Sequence, residues 1–258
     1  MSSRIRAIAI LELLAQHPAG LPAREVAAKL EIPYSAADRL IQGLVEDGFL
    51  HHQQAPNVVR LSVKLAALGL AYLGASGITD LVQPILDDLA KRTGELVRLA
   101  VVEGDRLTWV AKSQSAQSGL FYTPDAGAEV FLSSTANGQA WLAYLQEAEL
   151  RKVVEKQGVQ RPGLGPNAPE TIEQLIRQVA NARKLGYATV TEANEAGTSA
   201  IAAAIKRPGT NKPIGTVSVA GPTLRMTATR MEAVAPWLLA SAQELGAAAA
   251  SSPLFSLG

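Results

Sequence analysis

Four polar side chains follow one another at the spacing of a single helix face. They are Ser35, Asp38, Arg39 and Gln42, and positions three or four apart lie on the same side of an α-helix. A guanidinium can donate two hydrogen bonds to guanine, a carboxamide can pair with adenine, and a carboxylate can accept from cytosine. The spacing therefore predicts a helix that reads bases, provided that its polar face enters a DNA major groove.

The opposite side of this stretch is apolar, and it indicates which elements hold the polar face in place. The members of this apolar stripe are Ala37, Leu40, Ile41 and Leu44. We predict a helix over residues 34–47 and a shorter one over residues 23–30, separated by Glu31-Ile-Pro33. Gly48 supplies the left-handed residue that ends a helix. The stretch reads as helix, turn, helix, strand.

Two flanking patterns complete a winged helix-turn-helix unit. Residues 4–16 carry apolar side chains at helical spacing, which predicts a first helix. Residues 49–54 and 57–61 read as strands joined across Ala55-Pro56. A hairpin of this size after three helices is typical of the wing in such a unit.

Basic residues around the polar face are candidates for contacts with phosphates, which position a protein on DNA without specifying sequence. The phosphate candidates are Arg4, Arg24, Arg60 and the hydroxyl of Ser35. Tyr34, at the start of the reading helix, is a further candidate for DNA contact. The alternative is an ordinary solvated helix face, with Arg39 paired internally. His51 and His52 on the wing either touch DNA or are simply solvated.

The composition is compatible with two cytoplasmic domains. It neither favours nor excludes nucleic-acid binding. The chain has 258 residues, 48% of them hydrophobic, and a net charge of +1, so DNA binding depends on where the arginines lie. Cysteine is absent, which excludes disulfides and thiolate zinc sites. The longest uncharged runs fall short of the roughly 18–20 apolar residues that span a bilayer, and the N-terminus lacks a signal-peptide pattern. We expect no membrane partner.

A linker helix is predicted over residues 62–74, where apolar side chains cover nearly the whole circumference. A lone helix cannot expose that much apolar surface, so we expect it to pack against a second copy in a homodimer. The glycines at 74 and 77 mark a boundary. The predicted domains are residues 1–61 for DNA binding, 62–77 for the linker and 78–258 for a second domain.

The second domain mixes helices and strands without regular alternation, which predicts an α+β fold. The predicted helices are residues 79–92, 136–145, 147–157, a helix beginning near Pro169 and ending at Leu185-Gly186, and 228–250. The predicted strands are residues 96–102, 107–111, 119–123, 187–192, 199–206 and 214–220. The Asp125-Ala-Gly127 loop follows the third strand. Such a sheet flanked by helices is typical of a sensor domain.

Within this domain we expect a mostly apolar pocket with a few polar anchors. Residues 133–137 lie at the N-terminus of a predicted helix, whose free N–H groups favour a ligand carboxylate; the alternative is a cap that satisfies only its own backbone. The candidate pocket residues are Arg98, Trp109, Tyr122, Ser134, Thr135, Asn137, Tyr187, Ala200, Ile201 and Ser218. Each has core packing as its alternative. The set favours a modest-sized carboxylic acid, aromatic in our interpretation.

Several segments, in order and spacing, resemble the IclR family of bacterial transcriptional regulators. They are residues 4–15, 32–40, 93–95 with 103–105, 134–140, 186–188 with 197 and 201–203, and 217–222 with Arg225. The resemblance implies a winged-helix repressor or activator that forms dimers, often paired into tetramers, with a GAF-like domain for a small metabolite. Ala200 and Ala220 stand where family members that bind small oxo-acids have polar residues, which argues against such an effector.

Catalysis is the competing class of function. All three histidines, His17, His51 and His52, lie in the DNA-binding portion, so the second domain lacks a histidine base and a Cys/His metal site. Ser-Lys or carboxylate chemistry is the remaining option around Lys112, Glu192 and Glu195, but these residues show no diagnostic spacing. We predict no catalytic residues, metal or cofactor; the alternative is an enzyme of unknown type with a DNA-binding appendage. A purely architectural DNA binder would not explain the second domain.

Overall fold

The computed structural model describes residues 2–53, 57–115 and 127–249. The chain divides into two compact units, residues 1–73 and 74–258. The first contains α1 (Ser3–Ala15), α2 (Ala23–Lys29), α3 (Tyr34–Glu46), β1 (Leu50–Gln53), β2 (Val58–Leu61) and most of α4 (Val63–Ala75). This confirms the predicted winged helix-turn-helix. The predicted turn at Ala55-Pro56 lies outside the described residues.

Apolar residues from every element before α4 form the core of this unit. Ile10 and Leu14 of α1 are buried with Val26 of α2 and Ile41 of α3. The hairpin is fastened to the loop between α1 and α2, where the backbone N–H of Val59 donates to the Leu21 carbonyl at 2.8 Å. The wing is therefore held by the same core that positions α3.

Helix α4 has no buried residue within the described structure. Val63 and Leu70 are 78% and 69% exposed, and Leu68 and Tyr72 are about half exposed. Within the described ranges no single helix is long and apolar enough to cross a membrane.

The second unit is built on a five-stranded antiparallel sheet of order β4-β3-β7-β6-β5. Its strands are β3 (Leu96–Glu103), β4 (Arg106–Gln114), β5 (Ala188–Thr191), β6 (Thr198–Lys206) and β7 (Pro213–Pro222). Its helices are α5 (Gln83–Thr93), α6 (Ala136–Leu142), α7 (Glu147–Gln157), α8 (Ile172–Leu185) and α9 (Ala228–Ala248). The predicted α+β architecture is confirmed.

The two faces of this sheet differ in composition because side chains alternate along each strand. One face carries branched residues, among them Val217, Val219 and Ile201, and packs against α5 and α9. The other carries Ala202 and Ala220 and packs with α6 in a separate core cluster. The first face supplies bulky packing, whereas the second is built largely from methyl groups.

An ion pair fastens the start of β3 to the loop before α9. Arg225 donates from Nη2 to Glu95 Oε2 at 2.8 Å and from Nε to Oε1. The hydrogen bond to Glu95 raises the pKa of Arg225 above its usual range. A Cβ at Gly221 would stand 2.4 Å from Glu95 Oε2, so glycine leaves room for the carboxylate.

Three predicted helices differ from the structure by three or more residues at one end, and one of them is the helix predicted to begin near Pro169, which begins at Ile172. The helix predicted over residues 79–92 begins as a π-helical turn, Ile78–Val82, before α5. Pro84 stands at the start of α5, and its ring and missing N–H prevent a continuous α-helix from residue 79. The helix predicted to reach residue 145 ends at Leu142, and the Arg183 guanidinium binds the carbonyls of Ala143 and Leu145 beyond it. The strand predicted over residues 119–123 lies outside the described residues.

Candidate nucleic-acid interface and effector surface

The polar face of α3 lies on the outside of the N-terminal unit. Ser35, Arg39 and Gln42 are exposed and Asp38 is half-buried. Gln42 Nε2 donates to Asp38 Oδ2 at 2.9 Å. The Asp38 carboxylate thus orients the Gln42 carboxamide. The side-chain oxygen of Gln42 and the second N–H of its amide are left for another partner. This face therefore presents an oriented amide beside a guanidinium.

Exposed arginines stand on three other elements of the same unit. Arg4 lies on α1, Arg24 on α2 and Arg60 on β2. The guanidinium of Arg24 is 5.7 Å from the ring centroid of Tyr34, so these two candidates share a patch. Lys64, by contrast, donates to the Asp47 carbonyl at 2.6 Å and stabilises the end of α3.

Three strands of the second unit bring a cation, a hydroxyl and a methyl group into one row. Arg98 on β3 is paired in register with Ser218 on β7, and Ser218 is paired with Ala202 on β6. The Arg98 guanidinium stacks on Trp109 of β4, with 3.9 Å between its central carbon and the ring centroid. Both side chains are buried. A buried cation therefore lies against an indole on the α6 face.

Ser218 is a polar group inside this apolar surface. Its Oγ is buried and has no hydrogen-bond partner in the described part of the chain. Burying a hydroxyl without a partner costs free energy. The alanines that surround it on this face are Ala100, Ala200, Ala202 and Ala220. Because most of these residues were predicted to line an effector pocket, we call this combination of the alanines with Arg98, Trp109 and Ser218 the effector surface.

The residues before α6 are engaged with the protein itself. Thr135 caps the helix by accepting from the Gly138 N–H at 3.0 Å. Ser134 donates to Asn194 Oδ1 at 3.2 Å, and Asn137 donates to Thr216 Oγ1 on β7 at 2.9 Å. The internal cap, which was the alternative at the sequence level, thus accounts for Thr135. Asn137 is the member of the group that reaches the α6 face of the sheet.

Two other pocket candidates are not part of the effector surface. Ile201 alternates with Ala200 along β6 and lies on the opposite face, paired with Val219; this corrects its assignment to the same lining. Tyr187 lines a cavity beside α8. Tyr122 falls outside the residues that the structure describes.

Two polar residues of this unit were missed at the sequence level. Thr216 lies two positions before Ser218 on β7, so strand alternation alone would have placed it on the same face. Gln178 accepts from Gln139 Nε2 at 2.7 Å, a contact between α8 and α6 that local spacing does not signal. In the described ranges no group of three or more acidic or histidine side chains is arranged to hold a metal ion.

A winged helix-turn-helix joined to a ligand-binding type of α+β domain defines the class of DNA-binding regulators that carry their own effector domain. Residues 5–54 match the IclR helix-turn-helix domain, and residues 70–247 match the C-terminal domain described as bacterial transcriptional regulator IclR. The chain belongs to the IclR family of bacterial transcriptional regulators. It binds DNA through the helix-turn-helix and a small-molecule effector through the C-terminal domain. Family members are regulators rather than enzymes, as predicted.

Individual relatives match this chain along nearly its full length. The transcriptional regulator BhcR of Paracoccus denitrificans is 26% identical over 241 residues, covering 93% of this chain and 84% of the relative. The crystal structure of Thermotoga maritima IclR is 27% identical with a TM-score of 0.73, covering 93% and 96% of the two chains. An IclR homologue of Microbacterium hydrocarbonoxydans, complexed with 4-hydroxybenzoate, shares the fold at 21% identity, with a TM-score of 0.78 and coverage of 97% and 100%.

Proposed function

We propose that this regulator binds operator DNA in the cytoplasm as a homodimer or dimer of dimers, and that an organic acid, preferably aromatic, controls this binding. The carrying observation is the effector surface, where Arg98 is stacked on Trp109 and Ser218 has a buried hydroxyl with no partner among the described residues. A carboxylate pairs with a guanidinium, and a planar ring fits an alanine floor beside an indole. The 4-hydroxybenzoate complex of the Microbacterium homologue supports this class of ligand.

The proposed DNA contacts divide into base-reading and phosphate-binding groups. Asp38, Arg39 and Gln42 read bases from α3. The DNA backbone is bound by Arg4, Arg24, Arg60 and the Ser35 hydroxyl, with Tyr34 beside Arg24. The exposure of the arginines and the Asp38–Gln42 hydrogen bond support this division. Base contacts specify sequence and phosphate contacts set position.

We assign DNA binding to residues 1–61, the linker to 62–77 and effector binding to 78–258. The bounds of α4, Val63–Ala75, support the linker assignment. The exposed apolar surface of α4 supports dimerisation through it. In the proposed mechanism, the effector changes the relative disposition of two winged helices and so their match to half-sites about one helical turn, or a multiple of it, apart. Depending on the effect of this change on transcription, the regulator acts as a repressor or an activator.

DNA specificity is tested by mobility shift on the DNA upstream of the gene for this chain and of its neighbours, with random duplex as competitor. Arg39→Ala should weaken specific binding by about 1–3 kcal/mol, which is about tenfold or more. Arg177→Ala, at an exposed arginine on α8, is the matched control and should leave binding unchanged. Binding of the intact protein to operator no better than to random duplex would overturn the proposal.

Effector class is tested by calorimetry with the full-length protein. Benzoate and 4-hydroxybenzoate should bind and alter the mobility shift, whereas glyoxylate and pyruvate should bind weakly. Tight binding of glyoxylate or pyruvate, with no response to aromatic acids, contradicts the proposed effector class and leaves DNA recognition standing.

A further inference from the structure

A cavity of the C-terminal unit lies beside the effector surface, between α8, β5 and Gln139 of α6. Its volume is about 310 Å³, at the lower end of the roughly 300–1,000 Å³ typical of small-molecule sites. Among the ten described residues that line it, four are carboxamides, three carry hydroxyls and none is charged. The carboxamides are Gln139, Asn167, Gln178 and Asn181. This cavity is thus polar and electrically neutral.

Internal hydrogen bonds orient two of these carboxamides. Gln139 is buried and donates from Nε2 to the Ser133 carbonyl at 2.9 Å and to Gln178 Oε1 at 2.7 Å. Because its oxygen is taken, Gln178 presents an NH₂ group with two donors. Asn167 Nδ2 donates to the Thr191 carbonyl at 3.0 Å, which leaves its Oδ1 as an acceptor. The cavity therefore offers oriented donors and an oriented acceptor.

Neutral donors and acceptors select a particular ligand chemistry. A ligand hydroxyl can donate to Asn167 Oδ1 and accept from Gln178 Nε2, since a hydroxyl serves both roles. A charged ligand would lose hydration without meeting an opposite charge among the described lining residues. The ring of Tyr187 and the side chain of Val190, which also line the cavity, supply apolar surface for C–H groups. These features together match a compact molecule rich in hydroxyls.

We propose that this cavity is a second ligand site, which binds an uncharged polyhydroxylated molecule the size of one sugar ring. It borders the proposed acid site, since Gln139 of α6 lines it and Val190 pairs in register with Ala200. It differs from that site in its anchors, because Arg98, Trp109 and Ser218 are not among the described residues that line it. Addition of a peptide strand to β5 is disfavoured, since Asn167 already occupies the Thr191 carbonyl at the end of that strand.

Calorimetry of the full-length protein tests the site with D-glucose, D-xylose and myo-inositol, and with D-glucuronate as a charged counterpart. At least one neutral compound should bind at millimolar concentration, and D-glucuronate should bind less tightly. Gln178→Ala and Asn181→Ala should each lower the affinity for the neutral compound about tenfold, which is the loss expected for one or two hydrogen bonds. Both residues are exposed on α8, so folding is expected to survive.

Gln243→Ala, at an exposed glutamine on α9, is the matched control and should bind the neutral compound like the unmodified protein. Absence of binding by all three neutral compounds overturns the site, as does preference for D-glucuronate. Equal affinity in Gln178→Ala and the control also overturns it. Ser218→Ala should weaken the acid without affecting the neutral compound, so failure of one site is distinguishable from failure of the other.

Discussion

Individual polar residues are held differently at the two interfaces. On α3, Gln42 is oriented by Asp38, a neighbour one helical turn away. On the effector surface, Arg98 is oriented by Trp109 from the adjacent strand, and Ser218 is fixed by burial within its own strand. The first arrangement survives exposure to water because it is local. The second depends on the whole sheet being formed.

Ser218→Ala should stabilise the ligand-free protein and weaken its binding of the acid effector. The substitution removes a buried hydroxyl that has no partner in the described ranges, so thermal unfolding should show a gain of about 1 kcal/mol. Ser199→Ala is the matched control, because Ser199 Oγ is hydrogen-bonded to Thr223 Oγ1 at 3.0 Å and its loss should destabilise. A loss of stability in Ser218→Ala would show that the hydroxyl is already satisfied without ligand.

Arg225→Met should destabilise the C-terminal unit because it leaves the Glu95 carboxylate, 6% exposed, without its ion pair. Breaking a fully buried pair costs about 3–5 kcal/mol; since Arg225 is 39% exposed, we expect about 2–3 kcal/mol in urea unfolding. The control is Arg92→Met, which breaks an Arg92–Asp88 pair that is more than half exposed and should cost less than about 1 kcal/mol. Equal losses would mean that burial of Glu95 does not matter.

Most helices and strands could be predicted from the sequence because their patterns are local. The buried stripe of α3 and the alternation of β6 and β7 follow directly from periodicity. What escaped prediction depends on contacts across the sheet. Ile201 looked like a pocket residue beside Ala200, yet strand alternation turns it to the α9 face. Gln139 and Gln178 lie on different helices and are 39 positions apart in the sequence, so no local pattern predicts their contact.

Close packing of α6 rests on one glycine. A Cβ at Gly138 would stand 2.3 Å from the Leu132 carbonyl oxygen, and backbone atoms cannot yield as a flexible side chain can. Gly138→Ala should therefore destabilise the C-terminal unit by about 3 kcal/mol or more. Gly43→Ala in α3 has no atom within 4 Å of the added Cβ and should stabilise by about 0.5–1 kcal/mol. Calorimetric unfolding measures both, and similar effects would refute the packing argument.

In the proposed function, α4 holds the homodimer together. Leu70→Glu places a charge on its most apolar exposed surface, where Leu70 is 69% exposed. Because operator affinity needs two winged helices in the proposal, this variant should dissociate into monomers and lose operator binding together. Lys152→Glu, on exposed α7 surface, should change neither. Analytical ultracentrifugation and mobility shift check both properties, and a monomer that keeps full operator affinity contradicts the proposed arrangement.

The unequal faces of the sheet also bear on how such a regulator diverges after gene duplication. Branched residues such as Val217 and Val219 carry the packing toward α5 and α9, so their truncation opens cavities. Replacing Ala200 or Ala220 with a larger or polar residue instead changes the face to which the proposal assigns the effector, without removing packed atoms. Under that proposal, duplicates can acquire new effectors by point mutation while the packing of the other face stays under separate constraint.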